Sequence, residues 1–180
     1  MIDESKLLEQ LQSNQNKEAA FRELMTLYKE RLYWHIRHIV KSHDDSDDVL
    51  QNTFIKVYKN IQSFKGESKL YSWMYRIATN ESLTFIKKRA KQSQISNQEM
   101  QQLAIDNLKA DVYFEGDDIQ YKLQEAIAKL PEKQQLVFNM KYFQDIKYKD
   151  MSLILETSEG ALKASYHIAT KKIQDYLTNH

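Results

Sequence analysis

The sequence predicts an all-α protein built from two small helical domains joined by a flexible linker, the second of them a helix-turn-helix domain. Turn formers are scarce, with 3 glycines and 1 proline in 180 residues, whereas an all-β fold needs a turn every ten residues or so. Apolar residues recur at steps of three and four along most of the chain, which is the spacing that lines one face of an α-helix. A chain of this length forms one domain or two small ones.

Four helices are predicted in the first domain. A short helix covers residues 3–11, and a second covers 21–40 with one apolar face. A third begins at the acidic segment 43–48, because carboxylates in a first turn satisfy free N–H groups and face the positive end of the helix dipole. The break at 65–68 separates it from a fourth helix, residues 69–91, which ends in a basic run.

The second half of the chain predicts four more helices. Pro131 suits the first position of a helix because its missing N–H costs nothing there. A short helix, a tight turn and a longer basic helix are typical of a helix-turn-helix. The predicted helices cover 121–130, 131 to about 142, 148–155 and 159–177. The predicted divisions are a first domain at 1–91, a linker at 92–118 with helical turns around 100–108, and a second domain at 119–180.

Composition excludes several classes of protein. Because Cys is absent, no disulfide framework and no thiolate metal site can form. No segment resembles a signal peptide or a membrane span, so a cytoplasmic protein without membrane insertion is expected. The net charge is only +1, but residues 65–96 hold seven Lys/Arg and two Asp/Glu, whereas 97–119 hold one and six. The basic block predicts a surface that binds polyanions.

The final helix has two distinct faces. One stripe is apolar and is expected to face the core, while Lys163, His167 and Lys171 share the opposite side. Such a helix can lie in the DNA major groove, where polar side chains reach base edges and lysines neutralise phosphates. The spacing fits an ordinary bundle helix with a solvated outer face equally well.

The helix at 69–91 mixes aromatic and basic side chains, among them Trp73, Lys69 and Arg76. Aromatic faces stack on unpaired bases while cations follow the backbone, which suits single-stranded DNA. In the alternative interpretation, which is favoured for Trp73 taken alone, the aromatic residues belong to the core. The terminal run at 87–91 also complements the negative end of the helix dipole.

The acidic cluster at 44–48 does not form an EF-hand, because Val49 and Ile55 stand where Gly and a bidentate Glu are required. Helix capping explains the cluster, and a face offered to a protein partner is the functional alternative. A metal site with His35, His38 or His43 is weakly indicated. No phosphate loop and no nucleophile–base spacing is present, so neither an enzyme nor a cofactor is predicted.

Four segments, in order and suitably spaced, resemble the extracytoplasmic-function (ECF) group of RNA polymerase sigma factors. Residues 45–58 (DSDDVLQNTFIKVY) resemble the polymerase-binding helix of that family, and 72–80 (SWMYRIATN) resemble its promoter-melting helix. Residues 130–138 (LPEKQQLVF) resemble the opening of its second domain, and 158–163 (SEGALK) the start of its DNA-recognition helix. The resemblance covers nearly the whole chain.

The resemblance implies the partners and the residues that contact them. Core RNA polymerase would be held through Asp45, Asp47, Asp48, Gln51 and Phe54. The −10 promoter element would be read as a separated strand through Phe64, Lys65, Lys69, Tyr75, Arg76, Asn80, Lys87 and Lys88. The −35 element would be read as duplex through Glu159, Lys163, Ser165, His167, Lys171 and Lys172. An inhibitory anti-sigma factor is a further implied partner, and the acidic linker would cross the polymerase near the RNA exit path.

The chain departs from the family at several positions. The family often has arginines where Ser165, Ile168 and Thr170 stand, so a low affinity of the isolated chain for DNA is expected. It often has Gly where Glu156 stands, and holding a non-Gly residue left-handed costs roughly 1 kcal/mol. Lys147 replaces a usual hydroxyl cap.

Two other functions compete with the sigma-factor interpretation. A free-standing helix-turn-helix regulator would bind DNA tightly without polymerase, as a symmetric dimer, but it does not explain the helix that contains Trp73. An all-α metal-dependent enzyme would use His35, His38 and the acidic cluster, and metal analysis would test it.

Overall fold

The computed structural model describes residues 4–13, 16–93, 99, 103, 106 and 118–179. These residues form α-helices and one short 3-10 helix at Ile61–Ser63, with no strand among them. The all-α prediction is therefore confirmed. The α-helices are α1 (Glu4–Gln12), α2 (Lys17–Val40), α3 (His43–Asn60), α4 (Leu70–Ser93), α5 (Asp118–Ala128), α6 (Glu132–Tyr142), α7 (Tyr148–Leu155) and α8 (Glu159–Asn179).

The N-terminal region packs α2, α3 and α4 against one another, with α1 across α2. Its core is mainly aliphatic, and side chains such as Leu24, Leu32, Ile36 and Met74 have no exposed surface. Burying a side chain of this size stabilises a fold by about 1.5–3 kcal/mol relative to leaving it exposed. Ser42 caps the start of α3, where its hydroxyl accepts a hydrogen bond from the Asp45 N–H.

The C-terminal region places α8 across α5, α6 and α7. Leu162, Ala169 and Ile173 are the buried residues of α8, and the ring of Tyr166 stacks on Phe138 with centroids 5.8 Å apart. The predicted apolar stripe of the last helix thus faces the core. The pair α7–α8 with its short turn is a helix-turn-helix.

Several helix boundaries differ from those predicted. α2 begins at Lys17 instead of residue 21, and α4 ends at Ser93 instead of residue 91. Pro131 precedes α6 and does not open it, because its ψ of 146° is extended while its carbonyl accepts from the N–H of Gln135. The predicted linker at 92–118, including the turns expected around 100–108, lies largely outside the described residues.

One apolar cluster joins the two regions. Val137, Met140 and Ile146 of the C-terminal region belong to the same buried cluster as α2, α3 and α4, and so do Met151 and Ile154 of α7. The main contact runs between α4 and α7. Among the described residues, no helix is long and apolar enough to span a membrane.

Candidate nucleic-acid and polymerase interfaces

One side of α4 and the residue before it carry a row of polar and aromatic side chains. Lys69, Trp73, Arg76 and Asn80 follow one another at steps of four, three and four, which places them on one face of a helix. Lys69 and Asn80 are exposed, whereas Trp73 and Arg76 are partly buried. The predicted mixture of cations and an aromatic ring therefore lies on a single surface.

A pocket of about 310 Å³ opens on this face, between α4 and the loop at 63–68. The rings of Phe64 and Trp73 form its apolar wall, with centroids 5.3 Å apart. Lys65 and Arg76 line it as well. Gly66 lies in the loop with a φ of 74°, a left-handed conformation that glycine adopts without strain. The pocket therefore combines an aromatic wall with two cations and the carboxylate of Glu67.

The prediction that Tyr75 contacts a DNA base is wrong. Its side chain is 2% exposed, its hydroxyl donates to the carbonyl of Arg31 at 3.3 Å, and its ring lies against His35. Burial also raises the pKa of the Tyr75 hydroxyl. Trp73, which the periodicity assigns to the core, packs against that core and also lines the pocket.

The basic run at the end of α4 remains on the surface. Lys87 and Lys88 are exposed and lie about two helical turns beyond Asn80. Arg89 forms an ion pair with Asp45 of α3, so part of the run holds α4 against α3. The two lysines continue the positive surface away from the pocket.

The outer face of α3 carries most of the residues assigned to polymerase. Asp47, Asp48 and Gln51 are exposed. The side chain of Asp45 is only 23% exposed and forms an ion pair with Arg89. Its carboxylate is therefore directed towards α4. Phe54 is buried at its base, yet it lines two apolar grooves between α2 and α3.

These grooves contain residues that the sequence analysis missed. Phe21, Met25 and Tyr58 line the first, of about 300 Å³, together with Ile55. Ile55 is 45% exposed and lies outside the apolar stripe of α3, which was the available signal. The second groove, of about 570 Å³, is lined by Met25, Leu50 and Gln51 among others. Polar side chains of both charges, among them Asp47, Gln51 and Lys29, thus border an apolar floor.

The acidic cluster acts as a helix start. Asp44 and Asp45 occupy the first turn of α3. The imidazole Nε2 of His43 lies 3.8 Å from the carboxylate of Asp47. His35 is buried and its Nε2 pairs with the Thr79 hydroxyl at 2.8 Å. The described residues contain no group of three or more His, Cys, Asp or Glu that could hold a metal ion.

The outward face of α8 carries the predicted duplex-binding residues. Lys163, His167, Lys171 and Lys172 are exposed, as is Glu159, whereas Ser165 is partly buried. The Ser158 hydroxyl accepts from the Ala161 N–H at 3.3 Å and so caps the helix. The predicted departures also appear, because Glu156 is left-handed with φ 51° and Lys147 gives α7 no side-chain cap.

The C-terminal region covers part of the α4 face that carries Lys69, Trp73 and Arg76. Asp150 of α7 lies 3.4 Å from the Lys69 ammonium, and Glu156 lies 3.4 Å from the Arg76 guanidinium. Leu153 completes the wall of the pocket. Desolvation and, next, a hydrogen bond to Asp150 raise the pKa of Tyr71 to about 12. No sequence pattern predicted these contacts, since they join residues about 80 positions apart.

A second seam joins α2 to the end of α6. The His38 ring stacks on Phe143 with centroids 4.7 Å apart, and the Asn139 amide donates to the His38 carbonyl at 3.4 Å. Burial lowers the pKa of His38 to about 4, with Lys41 adding to the effect. Burial likewise lowers the pKa of His35 to about 3. Both imidazoles are neutral at pH 7.

Two family models match the chain. Sigma-70 region 2 matches residues 24–92, and Sigma-70 region 4 matches residues 120–173. Together they cover the α2–α4 bundle with its pocket and the helix-turn-helix. The chain belongs to the sigma-70 family.

Similar proteins place it in the ECF group of that family. The chain is 25% identical over 166 residues to "ECF RNA polymerase sigma factor SigW" of Bacillus subtilis, covering 88% of this chain and 89% of that protein. It is 26% identical over 182 residues to "ECF RNA polymerase sigma-E factor" of Haemophilus influenzae, covering 97% and 95%. Both alignments cover nearly the whole length of this chain and of the matched protein.

Solved structures share the fold. One is the sigma factor RpoE bound to the anti-sigma factor NepR from Bartonella quintana, with a TM-score of 0.67, 19% identity, and coverage of 88% of this chain and 96% of that one. Another is CnrH in complex with the cytosolic domain of CnrY, with a TM-score of 0.72, 17% identity, and coverage of 98% and 97%. This ECF sigma factor is a transcription initiation protein that acts with RNA polymerase at promoters.

Proposed function

We propose that the functions of this sigma factor are divided between the two regions as the sequence predicts. Residues 1–91 bind core RNA polymerase and read the −10 element as a separated strand. Residues 119–180 read the −35 element as duplex, and 92–118 are the linker between them. Polymerase holds both regions at once, so each gains from the high effective concentration that tethering gives.

The observation that carries the proposal is the pocket beside α4. An aromatic wall of Phe64 and Trp73 offers a stacking surface, and base–aromatic stacking contributes about 1–3 kcal/mol per base. A cavity of about 150 Å³ is enough to hold benzene, so the 310 Å³ pocket has room for one unpaired base. Lys65, Lys69 and Arg76 are placed to follow the phosphates, and Asn80, Lys87 and Lys88 extend that path.

Capture of an unpaired base explains how melting is driven. Opening a duplex costs a few kcal/mol for each base that leaves the stack. A base held against Trp73 and Phe64 regains stacking on the protein, while Lys69 and Arg76 offset phosphate repulsion. The −10 strand is therefore stabilised only after it separates, which couples recognition to melting.

Core polymerase is proposed to bind the outer face of α3. Asp47, Asp48 and Gln51 form the polar rim, and Phe54 with Ile55 supplies the apolar floor of the adjoining grooves. Interfaces commonly combine an apolar centre with a polar rim. Asp45 contributes chiefly by fixing α4 through Arg89.

Duplex binding is proposed for α8. Lys163, His167 and Lys171 project from one side, with Glu159, Ser165 and Lys172 beside them. Phosphate contacts set the register of such a helix, and base-edge contacts specify the sequence. The helix lacks the extra cations common in the family, so its affinity for free duplex is low without polymerase.

Three further properties belong to the proposal. An anti-sigma factor is proposed as a partner, because one of the solved structures named above is a complex of a sigma factor with the anti-sigma factor NepR. Action on polymerase and DNA places the protein in the cytoplasm. No cofactor and no catalytic residue are proposed. The family match favours this function over a free-standing helix-turn-helix regulator, which has no use for the polymerase face.

The first prediction tests the polymerase face. Gln51→Ala and Asp48→Ala remove exposed groups from the rim, so both should weaken co-elution with core RNA polymerase and lower run-off transcription. Most interface residues cost less than about 1 kcal/mol when truncated, so each of these rim variants should weaken the complex by up to roughly fivefold. The readouts are sizing chromatography and polymerase titration.

Matched controls separate this effect from loss of charge or of an amide. Gln62→Ala alters an exposed glutamine in the 3-10 helix, and Asp44→Ala alters an exposed acid at the start of α3; both should bind polymerase as the wild type does. Failure of the wild-type chain to bind its own core polymerase would instead favour the free-standing regulator.

A further inference from the structure

Small and aliphatic side chains line the centre of the outward face of α8. Gly160, Ala164 and Ile168 follow one another at steps of four, which places them on one side of the helix. All three are exposed, and Ile168 keeps 45% of its surface in solvent. They are turned away from Leu162 and Ala169, which are buried. The surface proposed to meet duplex DNA therefore has this apolar strip, residues 160, 164 and 168, along its centre.

Packing within the protein does not account for the apolar strip. A Cβ atom added at Gly160 would meet no other atom within 4 Å, so no neighbouring group requires a glycine there. Among the described residues, Ile168 belongs to neither of the two buried clusters. An isoleucine left in water forgoes the stabilisation that its burial would bring, and a ligand that covers Ile168 supplies that stabilisation.

Two cations lie on the flanks of the apolar strip, and the protein holds both of them there. The Lys163 ammonium lies over the ring of Tyr148 in α7, 5.7 Å from the ring centroid. The Lys172 ammonium donates to Oε1 of Gln134 in α6 at 3.2 Å. When a helix lies in the major groove, cations on its flanks meet the phosphates of the two strands, whereas its central strip meets the base edges. The base edges therefore face side chains that cannot form hydrogen bonds.

Thymine is the base whose major-groove edge suits an aliphatic side chain. It carries a C5 methyl group there, whereas adenine, guanine and cytosine present hydrogen-bond donors and acceptors. Ile168 gains nothing from a donor or an acceptor, but it removes apolar surface from water when it covers a methyl group. The small side chains at 160 and 164 let the backbone of α8 approach the floor of the groove.

Resting on the proposed function, which lays α8 in the duplex, we infer that Ile168 makes this sigma factor read a thymine of the −35 element by its methyl group. Lys163 and Lys172 hold the helix on the phosphates, and the contact between Ile168 and the methyl group selects the base. An A·T pair with thymine facing Ile168 is then preferred over the other three arrangements of a base pair.

The test removes the methyl group from the DNA. The chain bound to core RNA polymerase first selects its sites from a pool of random-sequence duplexes. The selected duplex is then resynthesised with deoxyuridine in place of each thymine of its upstream element in turn, a change that deletes only the C5 methyl group. Burying one such carbon contributes a factor of roughly four in affinity, so one deoxyuridine should weaken binding by the wild type roughly fourfold in anisotropy titrations.

The variant Ile168→Ala assigns that methyl group to its protein partner. It should bind the thymine and deoxyuridine duplexes with equal affinity. The control Ile119→Ala removes the same atoms from an exposed isoleucine of α5 and should keep the fourfold difference. Equal sensitivity of the wild type and Ile168→Ala to deoxyuridine would overturn the inference, and circular dichroism checks that both variants are folded.

A second variant replaces the aliphatic contact by a polar one. Arginine forms two hydrogen bonds with the O6 and N7 atoms of guanine, so Ile168→Arg should select guanine at the position where the wild type selects thymine. Selection of the same thymine by both proteins would also overturn the inference. A wild-type selection that enriches no upstream element at all would instead overturn the proposed reading of duplex by α8.

Discussion

Glu156 shows how one residue serves two conflicting demands. It ends α7 in the left-handed conformation, with φ 51°, a region that glycine occupies without strain and other residues occupy at a cost of roughly 1 kcal/mol. Its carboxylate meanwhile reaches Arg76 across the seam between the regions. The side chain therefore makes a contact between the regions at a position where backbone energetics alone would favour glycine.

Replacing this residue separates the two demands. Glu156→Gly should raise stability by about 1 kcal/mol, which corresponds to a rise of about 2–4 °C in Tm for a chain of this size. Glu156→Ala loses the same ion pair but keeps the strained backbone, so it should give no rise. Thermal unfolding followed by circular dichroism is the measurement, and equal Tm values for the two variants would show that the conformation is not strained.

Individual helices of this protein differ in which faces they bury and which they expose. α8 turns Leu162, Ala169 and Ile173 inward and leaves its lysines in solvent, as its periodicity predicts. α4 is different, because α2, α3 and α7 all pack against it. Its buried set includes Thr79 and Ser82, whose hydroxyls donate to carbonyls four residues earlier.

The lysines of α8 predict the salt dependence of duplex binding. Each phosphate contact contributes about one unit to the slope of log affinity against log salt. Lys163→Ala/Lys171→Ala should therefore flatten that slope by about two units, measured by anisotropy with labelled duplex DNA over a series of salt concentrations. The control Lys29→Ala/Lys59→Ala alters exposed lysines of α2 and α3, and its slope should stay at the wild-type value. A slope unchanged in the α8 variant would remove those lysines from the interface.

In the whole molecule, the seam between the regions contains neutral histidines. The pKa of His38 is lowered to about 4 and that of His35 to about 3, in both cases first by burial. An exposed imidazole has a pKa near 6.5. As pH falls below 6.5 the unfolded chain takes up protons that the packed chain does not, so packing loses stability down to the lowered pKa.

Acidification should therefore weaken the packed form. Each histidine that stays neutral contributes a loss of about 1.4 kcal/mol per pH unit below 6.5, and the loss from His38 ends near pH 4. Urea unfolding at pH 7.5, 6.0 and 5.0 measures this trend. His38→Phe keeps a ring against Phe143 and should show a shallower trend, whereas His167→Phe, on the exposed face of α8, should follow the wild type.

The sequence by itself determined the helices, their order and the outward face of α8. These follow from local rules, because periodicity, an acidic first turn and the absence of turn formers act within a few residues of chain. The pattern of Lys69, Trp73, Arg76 and Asn80 was also present in the sequence, and its four members share one surface.

Only the tertiary structure decided what each face of α4 meets. Tyr75 is buried, with its hydroxyl donating to the carbonyl of Arg31 in α2, whereas Trp73 lines a pocket. The periodicity of α4 alone does not separate these two aromatic residues, because α2, α3 and α7 all pack against this helix. The pairing of Asp150 and Glu156 with Lys69 and Arg76 likewise has no local signal. It joins parts of the chain about 80 residues apart, and such contacts depend on how whole helices pack.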